Sequence, residues 1–225
     1  PNPALPTDTG GDVTARTPTV ANVMWRPEPS VAVHDELTTP DISLILNEIV
    51  SQSDWAAGNN LGIMMGATSG SGARWAESSR NNNDIDTPAL FFTYATLGGG
   101  VPQATVETYS VTGRGDSSEE KVTTGAIDLT SSDLELVHEG SGADNEQVVL
   151  IVFPSVNVPA DAVVSEAYIL FDVDEVRPGQ SDADCTINIY GEASATPAAP
   201  SDTAFDISSR APTAHGVTWQ PEPSV

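Results

Sequence analysis

Asp116, Glu119 and Glu120 place three carboxylates within five residues, and Asp174 and Glu175 stand side by side further along the chain. Carboxylates this close repel unless they splay into water or share a cation, and hard divalent ions such as calcium are held by oxygen ligands of this kind. Asp116, Glu119 and Glu120 are therefore the candidate metal ligands, with calcium the candidate ion and a solvated acidic surface the plainer alternative. Spacing alone does not say whether Asp174 and Glu175 fold toward them. Catalytic patterns find less support. His34, His138 and His215 are scattered without a His-x-x-x-His spacing, no Gly-x-Ser-x-Gly elbow occurs, and Gly70-Ser-Gly72 lacks the Lys-Ser/Thr ending of a phosphate loop. Carboxylate pairs able to work on a glycosidic bond are uninformative in a chain so rich in acids. The expectation is a protein that is not an enzyme. Gly113-Arg-Gly-Asp-Ser117 contains the tripeptide read by animal integrins, and so short a match is read as chance. Trp55 and Trp75 are candidate exposed aromatic platforms.

Thirty-two acidic residues face eight basic ones, for a net charge of -24. Nucleic acid is excluded as a partner, because phosphate binding needs clustered cations that the chain lacks. A high-salt setting favours such a hydrated, self-repelling surface, whereas a calcium-dependent surface protein would use some of the carboxylates as ligands. Disorder is the other origin of high net charge, and β-branched and aromatic runs such as 148–153 speak against it. Cys185 is the single cysteine, so no internal disulfide framework exists, and its strand-like surroundings predict a small buried side chain. No apolar stretch reaches the roughly 18 residues that span a bilayer as a helix. The first residues, which lack both a signal-peptide pattern and an initiator Met, read as the middle of something longer.

The element that organises the chain is a repeat. Residues 1–31 return without a gap as residues 195–225, identical at 16 of 31 positions, with an offset of 194 residues. Trp25 and Trp219 are equivalent, and both copies end in Pro-Glu-Pro-Ser-Val. Such an offset is too long for a solenoid repeat and suits a whole domain. The chain is thus read as a window on a string of beads: residues 1–97 are the latter part of one unit, 98–102 a glycine-rich linker, and 103–225 the earlier part of the next. A hairpin loop within one domain is the alternative for the glycine tract. Indole packing under the Pro-Glu-Pro tract explains the repeated Trp, with sugar stacking the minor alternative.

Short strand-like runs separated by turn signals fill the rest. They fall at 61–66, 89–94, 105–111, 134–138, 147–153, 164–173 and 185–190. One helix is expected after Thr39, with Thr39 as N-cap, Pro40 as first helical residue, and Ile42, Ile45, Leu46 and Ile49 on one face that lids the core. The predicted fold is all-β: a jelly-roll-type β-sandwich with one short helix, as part of a tandem repeat or filament.

Three stretches carry a family resemblance: Asp116-Ser-Ser-Glu-Glu120 with the residues 125–136; residues 156–171 with Val173-Asp-Glu-Val176; and residues 39–50 with Trp55. They resemble a domain that recurs in very large secreted or surface-anchored bacterial proteins, similar to carbohydrate-binding-module jelly rolls. The resemblance covers most of the chain in permuted order and implies a bead that begins near Glu107, runs through the Trp219 region and continues with the equivalents of Thr39 and Phe91. It also implies structural calcium near the chain ends. The Pro-Glu-Pro-Ser tract and the acidity depart from the pattern. The function expected is a structural or adhesive repeat subunit of an extracellular filament or surface stalk, joined head to tail by strand complementation or covalent tandem linkage. Its partners would be copies of itself and surface glycans. The alternative is a glycan-binding accessory module of a secreted protein.

Overall fold

Alternation of buried and more exposed residues marks two of the strands. In β10 (Val163–Glu175) the buried residues Val164, Ala167, Ile169, Phe171 and Val173 mark one face, and in β11 (Cys185–Glu192) Cys185, Ile187, Ile189 and Gly191 do the same. By contrast β2 (Asn59–Gly70) and β9 (Gln147–Val156) are buried on both faces through their centres, as strands covered on each side must be. The computed structural model describes residues 31–78, 87–98, 101–111, 116–140, 143–181 and 183–221.

These strands form two antiparallel sheets. The first runs β5 (Val101–Ser110), β4 (Ala89–Gly98), β10, β3 (Trp75–Glu77) and β8 (Asp133–Glu135), with β1 (Glu36–Thr38) also paired to β10. The second runs β12 (Pro212–Trp219), β11, β2, β9, β6 (Ser117–Lys121) and β7 (Ile127–Asp128). Leu90, Phe92, Ile169 and Phe171 of the first sheet meet Ile63, Met65, Ile151, Phe153, Ile187 and Ile189 of the second in one apolar core. Among the described residues the architecture is an all-β sandwich with one short α-helix.

The helix α1 (Ser43–Val50) lids that core with Ile45, Leu46 and Ile49, as its periodicity predicts. It starts later than expected. Thr39 serves the sheet instead, donating its N–H to the Ile169 carbonyl and accepting the Ile169 N–H on its hydroxyl. Ile42 is the N-cap and makes no side-chain cap hydrogen bond; the Asp41 carboxylate accepts from Ser43 N–H at 2.9 Å, closing a turn before the helix, and from Ala167 N–H at 3.0 Å. Close packing brings α1 onto the end of β11: a Cβ on Gly191 would stand 2.6 Å from Ile49 Cδ1.

At the glycine-rich tract 98–102, β4 and β5 pair with Gly98 opposite Val101 and Leu97 opposite Pro102. Strands from before and after this tract pair with each other in both sheets. Trp55 and Trp75 are not exposed platforms. Trp55 is buried and donates its indole N–H to the Val158 carbonyl, and Trp75 is fully buried in β3. Trp219 is buried and stacks on Phe171 with ring centres 5.9 Å apart. Cys185 is free and buried, and burial raises its thiol pKa. The first repeat copy up to residue 30 and most of the Arg-Gly-Asp tract lie outside the described residues.

Candidate cation site

Acidic side chains gather where β3 lies between β8 and β10. Ala76 of β3 faces Leu134 on one side and Val173 on the other, and these three are buried toward the core. Asp133 and Glu77, one residue along and directly paired, therefore point to the opposite face. The β10 register shifts between Val173 and Glu175, which makes Asp174 the extra residue of a bulge. A bulge re-aims neighbouring side chains that regular pleating would send apart. As a result, one carboxylate oxygen each of Asp133, Asp174 and Glu175 lies within 4.8 Å of the others, all three residues half-buried.

The electrostatics follow from that crowding. Burial, then the charge of Asp133, pushes the Asp174 carboxyl above its ordinary range, against a hydrogen bond with Glu77. Arg177 pairs with Glu175, and its guanidinium lies 4.6 Å from the centre of the Trp75 ring. One cation thus already offsets part of the charge. Three oxygens at this separation suit a hard divalent ion that completes its shell with water.

Glu119 and Glu120 diverge, because adjacent strand residues face opposite ways. Glu119 faces the core beside Val149 and reaches the other sheet, where its Oε1 accepts the Glu135 N–H. Burial, followed by the hydrogen bond and charge of Glu135, raises the Glu119 carboxyl well above its usual range, and burial raises Glu135 as well. Both line a polar cleft of about 520 Å³ together with Lys121, Asp128, Glu139 and Gln147. Glu120 is fully buried on the other face, where its Oε2 accepts the N–H groups of Ile207 at 2.7 Å and Ser208 at 3.1 Å. Asp116 leads into β6 and gives its backbone carbonyl to Val152 N–H. Glu119 and Glu120 thus lie on opposite faces of β6, whereas Asp174 and Glu175 are joined by Asp133. No local spacing links Asp133 to β10, since only the intervening β3 brings them together.

Of the histidines, His34 borders this site, its charge acting on Asp174. His34 is exposed beside Asp172, His138 is buried, and His215 contacts Glu48 of α1 at 2.8 Å. No helix is long and apolar enough to cross a membrane among the described residues. Compared with models of known families, with curated proteins and with solved structures, the chain has no match.

Proposed function

We propose that this chain is a structural or adhesive bead of an extracellular filament or surface stalk, assembled from copies of the same sandwich in tandem or head to tail. One observation carries the reading: the repeat offset of 194 residues nearly equals the stretch from 31 to 221 that supplies both sheets. The second repeat copy contributes β12, the outer strand of its sheet, so the repeated element is the piece that finishes a bead. Its resemblance to jelly-roll repeats of large bacterial surface proteins points the same way. Electron microscopy of two or three copies joined in one polypeptide tests the proposal. Evenly spaced beads are expected; chains that collapse into one irregular mass would refute it.

Calcium at Asp133, Asp174 and Glu175 is the proposed reinforcement of the bead. The ion would relieve the repulsion that raises the Asp174 carboxyl and would tie β8 to β10. Adding millimolar calcium at constant ionic strength should raise the melting temperature of the wild-type chain and leave an Asp133→Asn/Asp174→Asn variant unmoved. An equal rise in both would place the effect elsewhere.

Glycan binding is a second reading, favoured by Phe91 and Tyr168. Their rings stack at 5.4 Å and 13° on the half-buried outer face of the first sheet, a surface suited to a sugar ring. A carbohydrate array probed with wild type and with Phe91→Ala decides it, because the reading requires binding that the variant loses.

A further inference from the structure

The second repeat copy is seated by contacts that the first copy can reproduce. Arg210, nearly buried, donates to the Glu192 carboxylate at the end of β11 at 2.8 Å and to Asp206 at 3.0 Å. Ile207 sits fully buried with Met64, Leu150 and Val152. The Thr213 hydroxyl accepts the Gly191 N–H at 2.9 Å and donates to the His215 carbonyl. Val217 and Trp219 face Ile189 and Ile187 across the strand pair, and the Pro221 carbonyl accepts from Arg74.

At the offset of 194 residues, Asp206, Arg210, Pro212, Thr213, Val217, Trp219 and Pro221 correspond to the identical residues Asp12, Arg16, Pro18, Thr19, Val23, Trp25 and Pro27, and Ile207 to Val13. Three differences change a side chain in contact, since His215, Thr218 and Gln220 reach Glu48, Asn188 and Thr186 and correspond to Ala21, Met24 and Arg26. Ala214 and His215 correspond to Val20 and Ala21, yet Glu48 holds these positions by their backbone N–H groups, at 2.6 and 2.8 Å. Thr218, exposed on the outer face, corresponds to Met24. Glu120 likewise grips backbone N–H groups, which any sequence supplies. One difference adds bulk inside the contact: Asn22 takes the place of Gly216, where a Cβ would meet the Tyr190 ring at 2.4 Å, so that ring must swing aside.

We propose that residues 7–27 are a second closing segment, and that the groove along β11 which holds residues 201–221 also accepts residues 7–27 of a second copy of this chain. β12 is the outermost strand of its sheet, so exchanging it disturbs no strand beyond it. Each sandwich then has two candidates for one place, and an interface between copies reuses a fold contact. The proposal rests on the bead reading for the presence of neighbouring copies, and it assigns the contact through which they join.

The test keeps the full chain. Val217→Pro weakens the internal segment, since proline is poorly tolerated within a paired strand. The expected product is an oligomer with a concentration-dependent melting transition, whereas the Val23→Pro/Val217→Pro variant should be monomeric and melt roughly 5 °C or more lower. Crosslinking identifies the contact. Thr218 faces Asn188 across the strand pair, with side chains 3.1 Å apart, and Met24 is the equivalent of Thr218. In a Cys185→Ala/Val217→Pro background, Met24→Cys with Asn188→Cys should give reducible dimers and longer ladders on oxidation, lost when Val23→Pro is added. If Val217→Pro alone and the double variant match in size and melting, folded or unfolded, the proposal is overturned. It is also overturned if no ladder forms or if the disulfide closes within one chain. The bead reading would survive such a result, because joined copies could still form spaced beads by covalent linkage alone.

Discussion

Glu119 faces the core and meets a second acid there, so it is the side chain most at odds with its surroundings. Its carboxyl is raised by burial and by Glu135, and that shift has a sign in stability. An unfolded Glu releases its proton near its ordinary value, while the folded one keeps it to higher pH. Stability from this group is therefore full at acid pH and is lost as pH rises through the raised folded value. Replacing Glu119 with Gln keeps an oxygen for the Glu135 N–H and removes the charge. The variant should match wild type near pH 4 and exceed it by about 1 to 2 kcal/mol at pH 8, read from denaturant melts across that range. A wild-type chain as stable as the variant at pH 8 would mean that the carboxylate is matched by a partner when charged.

Glu48 works in the opposite sense, and through an element. It stands on α1 and grips β12 by two backbone N–H groups and the His215 ring. Burial pushes its carboxyl up, but those hydrogen bonds outweigh the effect and hold it below the ordinary range. Its contribution is present above the unfolded value and vanishes as pH falls through the lowered folded one. Glu48→Gln should cost about 1 kcal/mol at pH 7 and progressively less as pH falls through the lowered folded value, in the same melts. The docking of α1 has a steric check as well. Gly191→Ala drives a methyl into Ile45 and Ile49, and overpacking of this kind costs about 1 to 3 kcal/mol. Elements differ in how legible they are from sequence. β10 and β11 announce themselves because each buries alternate residues, and α1 because its apolar face has helical spacing. β12 does not, since most of its residues are exposed and its buried Thr213 and Trp219 are too far apart to show a period. Its only signal is the repeated Trp. The late start of α1 was hidden because Thr39 has capping chemistry, and only the neighbouring β10, which takes up its N–H and hydroxyl, keeps it out of that role. The acid cluster was half legible: Asp174 and Glu175 are adjacent, but a bulge aims them and a third strand delivers Asp133.

For the whole molecule, the dominant quantity is a net charge of -24 on 225 residues. Eight basic side chains cannot pair with most of the thirty-two acids, so repulsion among carboxylates opposes the folded state over a range set by screening. At about 10 mM salt the screening length is about 30 Å, comparable to a small domain, and at 1 M it is about 3 Å, shorter than the distance between neighbouring carboxylates on the surface. Sodium chloride should therefore raise the melting temperature continuously over that range, where a fold held chiefly by ion pairs would lose stability. The same repulsion acts between beads in the proposed stalk. Two joined copies should give a larger radius of gyration by small-angle scattering in low salt than in high salt, because each bead carries like charge toward the next. Calcium separates the two effects: at constant ionic strength screening is unchanged, so any further rise in melting temperature reports ions held at fixed sites. If neither melting temperature nor radius responds to salt, the carboxylates must be arranged so that their fields cancel, and acidity would then have no part in keeping a stalk extended.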